Sequence, residues 1–64
     1  MNLPIRLDQY LKVIGIAQTG GHAKFLIQNG EIMVNGEAEH RRGRKLYAGD
    51  TVAYAHQEWT LTSS

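Results

Sequence analysis

Cysteine is absent from this sequence, which excludes disulfide staples and thiolate metal sites at once. No apolar run approaches the roughly 20 residues that a helix needs to cross a bilayer, so a membrane role is not expected. The first residues, Met1 to Ile5, show neither the basic opening nor the apolar stretch of a secretion signal. A cytoplasmic location is therefore the expectation. An excess of charge of one sign is also missing. The formal net charge is only +1, and by itself it points to no partner. His22, His40 and His56 share no metal-ligand spacing, so neither a metal nor another cofactor is expected. No Ser-His-Asp constellation, phosphate-cradling P-loop or dinucleotide fingerprint appears.

What is present fits one small folded domain covering residues 1–64. A chain of this size buries only about 60% of the surface its unfolded form exposes, so its core is thin. Deep catalytic clefts are hard to build on that scale, and an enzyme acting on a small-molecule substrate is not expected. A hydrophobic content of 42% with 20% charged residues is too apolar for a disordered tail. The cations are unevenly spread, with four of the seven Lys and Arg residues falling between Arg41 and Lys45. The chain is near neutral with one basic spot.

Leu7, Leu11 and Ile14 follow an i, i+4, i+7 stripe, which predicts an amphipathic helix. Asp8, Gln9 and Lys12 then fall on its outer side, with Asp8 as N-cap or first-turn carboxylate and Gly15 as the stop. A second helix is predicted from Thr19, its N-cap, to Asn29, with Gly30 ending it. Its buried stripe is Ala23, Leu26 and Ile27. Gly20 and Gly21 weaken its first turn by about 1 kcal/mol each relative to alanine. Beyond Gly30 the period becomes two. Ile32 and Val34 alternate with Glu31 and Met33, and Asn35-Gly36 is a strong hairpin signal. Glu37 to Glu39 is the expected return strand. Arg41 to Lys45 reads as a polar excursion, with Gly43 letting it bend. Ala48-Gly49-Asp50 reads as a turn. Thr51 to Tyr54 and Glu58 to Leu61 read as a final pair of strands. Tyr10, Tyr47, Tyr54 and Trp59 are expected in the core or at its edge. The predicted fold class is α+β, with two N-terminal helices packed on a small, mostly antiparallel β-sheet.

From Arg6 to Tyr54 the chain resembles the RNA-binding domain first defined in ribosomal protein S-four, built around the αL motif. The resemblance is carried by Arg6-Leu7-Asp8, Leu11, Gly15, Ala23-Lys24, Ile27, Gly30, Val34-Asn35-Gly36 and Gly49-Asp50. No single match is specific, but their joint order and spacing are. Many members carry a Ser-Arg pair at the start of the second helix, whose arginine helps to hold RNA. Here Thr19-Gly20 stands in that place. With its Gly-rich second-helix start and basic run, the chain is similar to the short, stand-alone bacterial YbcJ-like subgroup. The resemblance implies RNA binding, with Arg6 and Lys24 at positions that contact RNA in the family.

The candidate RNA-binding residues follow from charge and exposure. Arg41, Arg42, Arg44 and Lys45 would neutralise phosphates and release counterions, while their bland role is a solvated loop. Arg6, Lys12 and Lys24 are single cations, with Lys12 and Lys24 on outward helix faces. Thr19, Gly20 and Gly21 leave backbone N–H groups open to a phosphate, or simply form a pliant start to the helix. Phe25 lies opposite the buried stripe of its helix. It would stack on an unpaired base, contributing about 1–3 kcal/mol, or cover a neighbouring loop or the N-terminal segment, the packing role that the small domain favours. Glu37 and Glu39, two apart on one strand, share a side. With no pocket around them, they are expected to pair with the arginines or limit non-specific binding rather than to do acid–base chemistry.

The expected function is non-catalytic recognition of structured RNA, ribosomal RNA or a ribosome-assembly intermediate, by a monomer using phosphate and shape contacts. This requires the basic run and the outer sides of both helices to form one positive surface. The alternative is a protein-interaction module docking through a strand edge or Phe25.

Overall fold

Both helices form where the apolar spacing places them. The computed structural model describes residues 2–63 and shows α1 at Leu7–Val13 and α2 at Gly20–Gln28. Thr19 caps α2, its Oγ1 accepting the His22 N–H at 3.0 Å, as N-cap hydroxyls do. Gly15 and Gly30 follow the two helices with φ of +84° and +77°, a left-handed geometry that favours glycine. After α2, the Gly30 and Glu31 N–H groups return to the Ile27 and Leu26 carbonyls at 3.1 Å. This closes a Schellman motif.

The remaining strands are short. β2 (Ile32–Val34), β3 (Glu37–Ala38), β5 (Thr51–Tyr54) and β6 (Gln57–Thr60) form one antiparallel sheet in the order β3-β2-β5-β6. Asn35 and Gly36, at φ 53° and 86°, make the left-handed two-residue turn that matches strand twist. The Asn35 side chain then ties this turn to the next. Its amide donates to Asp50 Oδ1 at 3.1 Å, and its oxygen accepts the Thr51 N–H at 3.0 Å. The Tyr47 N–H donates to Asp50 Oδ2 at 2.8 Å. The Tyr47 N–H and then the Asn35 amide hold the Asp50 carboxyl below its ordinary range.

One apolar cluster joins the layers. Leu7, Tyr10 and Leu11 from α1 meet Ala23, Leu26 and Ile27 from α2, with Ala17 between the helices. Ile32, Val34 and Val52 supply the sheet side, where Val34 pairs with Val52 across β2 and β5. Leu46 and Leu61 complete the cluster, and Tyr54 and Trp59 pack at its edge.

Several expectations are corrected. The strands make two sheets rather than one, because β1 (Ile5–Arg6) pairs with β4 (Lys45–Leu46) apart from the four-stranded sheet. Asp8 is not the N-cap. Arg6 holds that position, and Asp8 takes the other expected role, a first-turn carboxylate, but sits buried instead of on the outer side. Tyr47 is 53% exposed, since fully buried Leu46 turns its successor outward in the strand alternation. β3 ends at Ala38, and the last strand starts at Gln57. Gly43 does not take a positive φ, so the loop does not need glycine's left-handed freedom there.

Candidate nucleic-acid interface

The basic excursion is anchored rather than loose. α1 lacks a side-chain N-cap, so its first N–H groups need other partners. The loop supplies them. Leu7 N–H donates to the Arg44 carbonyl at 2.8 Å, and Asp8 N–H donates to the Arg42 carbonyl at 3.0 Å. The β1–β4 register then sets Arg6 opposite Lys45. Residues 41–45 are thereby held across the start of α1.

Glu39 lies at the centre of this segment. Its side chain is 10% exposed and accepts the His40 and Arg41 backbone N–H groups, both at 3.1 Å. Arg41 grips it with a two-pronged contact, Nε to Oε2 and Nη2 to Oε1, each 3.1 Å. Arg44 Nη1 adds a third guanidinium contact at 2.9 Å. The Arg41 hydrogen bonds, helped by Arg44 and opposed by burial, lower the Glu39 pKa from 4.5 to about 2. A second pair joins Arg6 Nη2 to Asp8 Oδ2 at 2.8 Å.

This geometry divides the candidate cations. Arg6, Arg41 and Arg44 are paired with carboxylates, whereas Arg42, Lys45, Lys12 and Lys24 form no ion pair among the described residues. Glu39 pairs with the following arginines as expected, so the basic run is not wholly free. Two of its four cations share Glu39. Neutralisation is still incomplete, because the five cations Arg6, Arg41, Arg42, Arg44 and Lys45 outnumber the three carboxylates that interact with them, Asp8, Glu39 and, through Arg44, Asp50. Arg41 also keeps a 74% exposed side chain. A guanidinium has five N–H donors, and only two of those on Arg41 face Glu39.

Lys12 and Lys24 are exposed on α1 and α2, as expected. Thr19, Gly20 and Gly21 are exposed at the start of α2, with open space beside Gly20. The α2 residues belong to the other helix and, among the described residues, share no hydrogen bond with the loop. Phe25 is 62% exposed, so it does not cover a neighbouring loop. Glu37 is exposed without an ion pair among the described residues, while Glu39 takes up the arginines. No group of His, Asp and Glu able to hold a metal ion occurs among the described residues. No helix among them is long and apolar enough to cross a membrane.

The central part of Glu39 was only partly legible in the sequence, where two acidic residues precede the arginines and nothing distinguishes them. The end of β3 does: Glu37 lies exposed within the strand, whereas Glu39 falls beyond its last residue, Ala38, and is buried, so the two do not share a side as expected. The β1–β4 pairing left no periodic signal at all.

The family model described as "S4 domain" matches residues 2–62. The chain belongs to the S4 domain family. Among its relatives is the probable ribosome maturation protein RlbA of Bacillus subtilis (strain 168), 50% identical over 48 residues, spanning 75% of this chain and 68% of that protein. The putative RNA-binding protein YbcJ of Escherichia coli (strain K12) is 37% identical over 51 residues, spanning 80% of this chain and 73% of that protein. The S4 fold seen here also matches the trimeric structure of Vibrio cholerae Heat Shock Protein 15, with a TM-score of 0.73 at 21% identity. That match covers 86% of this chain and 57% of the Heat Shock Protein 15 chain.

Proposed function

We propose that this S4 domain is a non-catalytic, cytoplasmic RNA-binding protein that holds structured RNA through phosphate and shape contacts. The observation that carries the reading is the anchored 41–45 segment. Its backbone is fixed to the start of α1, and its cations outnumber the carboxylates beside them. A fixed cluster of positive charge neutralises phosphates with little ordering cost, which supplies affinity without base reading. Arg42 and Lys45 are the main contacts, and Arg41 and Arg44 add their remaining donors. Arg6 and Lys12 extend the surface along β1 and α1. Lys24, with Thr19, Gly20 and Gly21, offers a second point of attachment on α2, and exposed Phe25 offers a stacking face. The name of the Bacillus relative, a probable ribosome maturation protein, favours ribosomal RNA or an assembly intermediate as the ligand, bound by a monomer.

The test is a fluorescence-anisotropy titration of a structured ribosomal RNA fragment. Replacing Arg42 and Lys45 together with alanine leaves the Glu39 network intact and should weaken binding about tenfold, as expected for loss of two phosphate contacts. Unchanged affinity at low salt would refute the reading. A second reading rests on the exposure of Phe25, which would serve as a protein-docking point. It requires partner binding that survives added salt, whereas phosphate binding does not.

A further inference from the structure

We propose that Glu39 is the positioning residue of this loop, and that it sorts the basic residues into a clamp and a contact set. The inference rests on the RNA-binding reading. Arg41 and Arg44 form the clamp. Arg42 and Lys45 form the contact set.

Five hydrogen bonds converge on this one carboxylate. Glu39 accepts from two successive backbone N–H groups, those of His40 and Arg41, and from three guanidinium nitrogens. Its contacts with Arg41 have the fork geometry that fixes a guanidinium in orientation as well as distance. Arg44 closes the far end, since its N–H donates to the Arg41 carbonyl at 3.2 Å while its own carbonyl caps Leu7. One side chain thus sets the path of residues 40–44, and that path carries the Arg42 carbonyl to Asp8. Between the two clamped arginines, Arg42 is exposed and unpaired among the described residues. Lys45 follows in β4, fixed opposite Arg6.

The consequence is opposite in sign to a simple charge count. Glu39→Gln raises the net charge by one, which in a purely electrostatic account tightens RNA binding. It also replaces one acceptor oxygen with an amide NH2 facing guanidinium donors. The clamp then opens, and Arg42 and Lys45 lose their fixed spacing. Binding should weaken about fivefold or more, with a shallower salt dependence, because fewer phosphates are engaged together.

The experiment titrates one structured ribosomal RNA fragment with the wild type, Glu39→Gln and Arg41→Lys, correcting each protein for its folded fraction. Arg41→Lys keeps the charge but loses the fork. Its largely exposed side chain makes it the variant to use should Glu39→Gln unfold. Weaker binding by both, or by Arg41→Lys alone where Glu39→Gln is unfolded, supports the positioning role. Equal or tighter binding by Arg41→Lys, or by folded Glu39→Gln, overturns it while leaving the RNA reading intact. A wild type that fails to bind the RNA overturns the RNA reading itself, and the positioning role with it.

Discussion

Glu39 also makes folding depend on pH. Its folded-state pKa lies near 2 against an ordinary 4.5. A carboxyl lowered in the folded state adds stability that is complete above its unfolded pKa. That stability is lost as pH falls from about 4.5 towards 2. At roughly 1.4 kcal/mol per tenfold change, the upper limit is about 3 kcal/mol. Arg41 stands largely in water, and solvent screening reduces the expected contribution to about 1–2 kcal/mol. That is a substantial share of the roughly 3–10 kcal/mol expected for a domain of this length. Asp50 is lowered in the same direction, so the wild-type slope contains both groups. Urea denaturation of wild type and Glu39→Gln, from neutral pH to about pH 2, separates them. The variant should be less stable at neutral pH by about 1–2 kcal/mol and should converge on the wild type in acid. Curves that stay parallel across the whole range would show that Glu39 is not held by its arginines.

Three further outcomes test the fold around the site. Gly30→Ala places a side chain at φ +77° and 3.4 Å from His40 Nε2, so thermal unfolding should show a loss of about 1–2 kcal/mol. Ala55→Gly relieves a non-glycine residue at φ 57° and should raise stability by about 0.5–1 kcal/mol in the same assay. Leu46→Ala empties a fully buried position and should cost about 2–5 kcal/mol by urea denaturation, with weaker RNA binding because β4 also carries Lys45.

The sequence was most readable where structure is local. The α2 stripe Ala23, Leu26 and Ile27, its Thr19 cap and the Gly30 stop depend on neighbours within one or two turns, and all three stand as expected. Asn35-Gly36 is equally local. β1 and β4 are two-residue strands drawn from distant parts of the chain, too short for any period to show. Asp8 and Glu39 were harder for a related reason. A buried carboxylate is stable only beside its partners; those of Glu39 arrive through the folding of the 41–45 loop, whereas Asp8 takes the guanidinium of its near neighbour Arg6. The cations of the candidate surface could be named from the sequence, but not which of them would be occupied by a carboxylate.

The most direct measurement is the affinity of the unmodified protein for a structured ribosomal RNA fragment over a series of salt concentrations. About four simultaneous phosphate contacts, at roughly 0.7–0.9 per contact, predict that log K falls with log salt at a slope of about −3. A slope near zero, or no binding at low salt, would contradict the account.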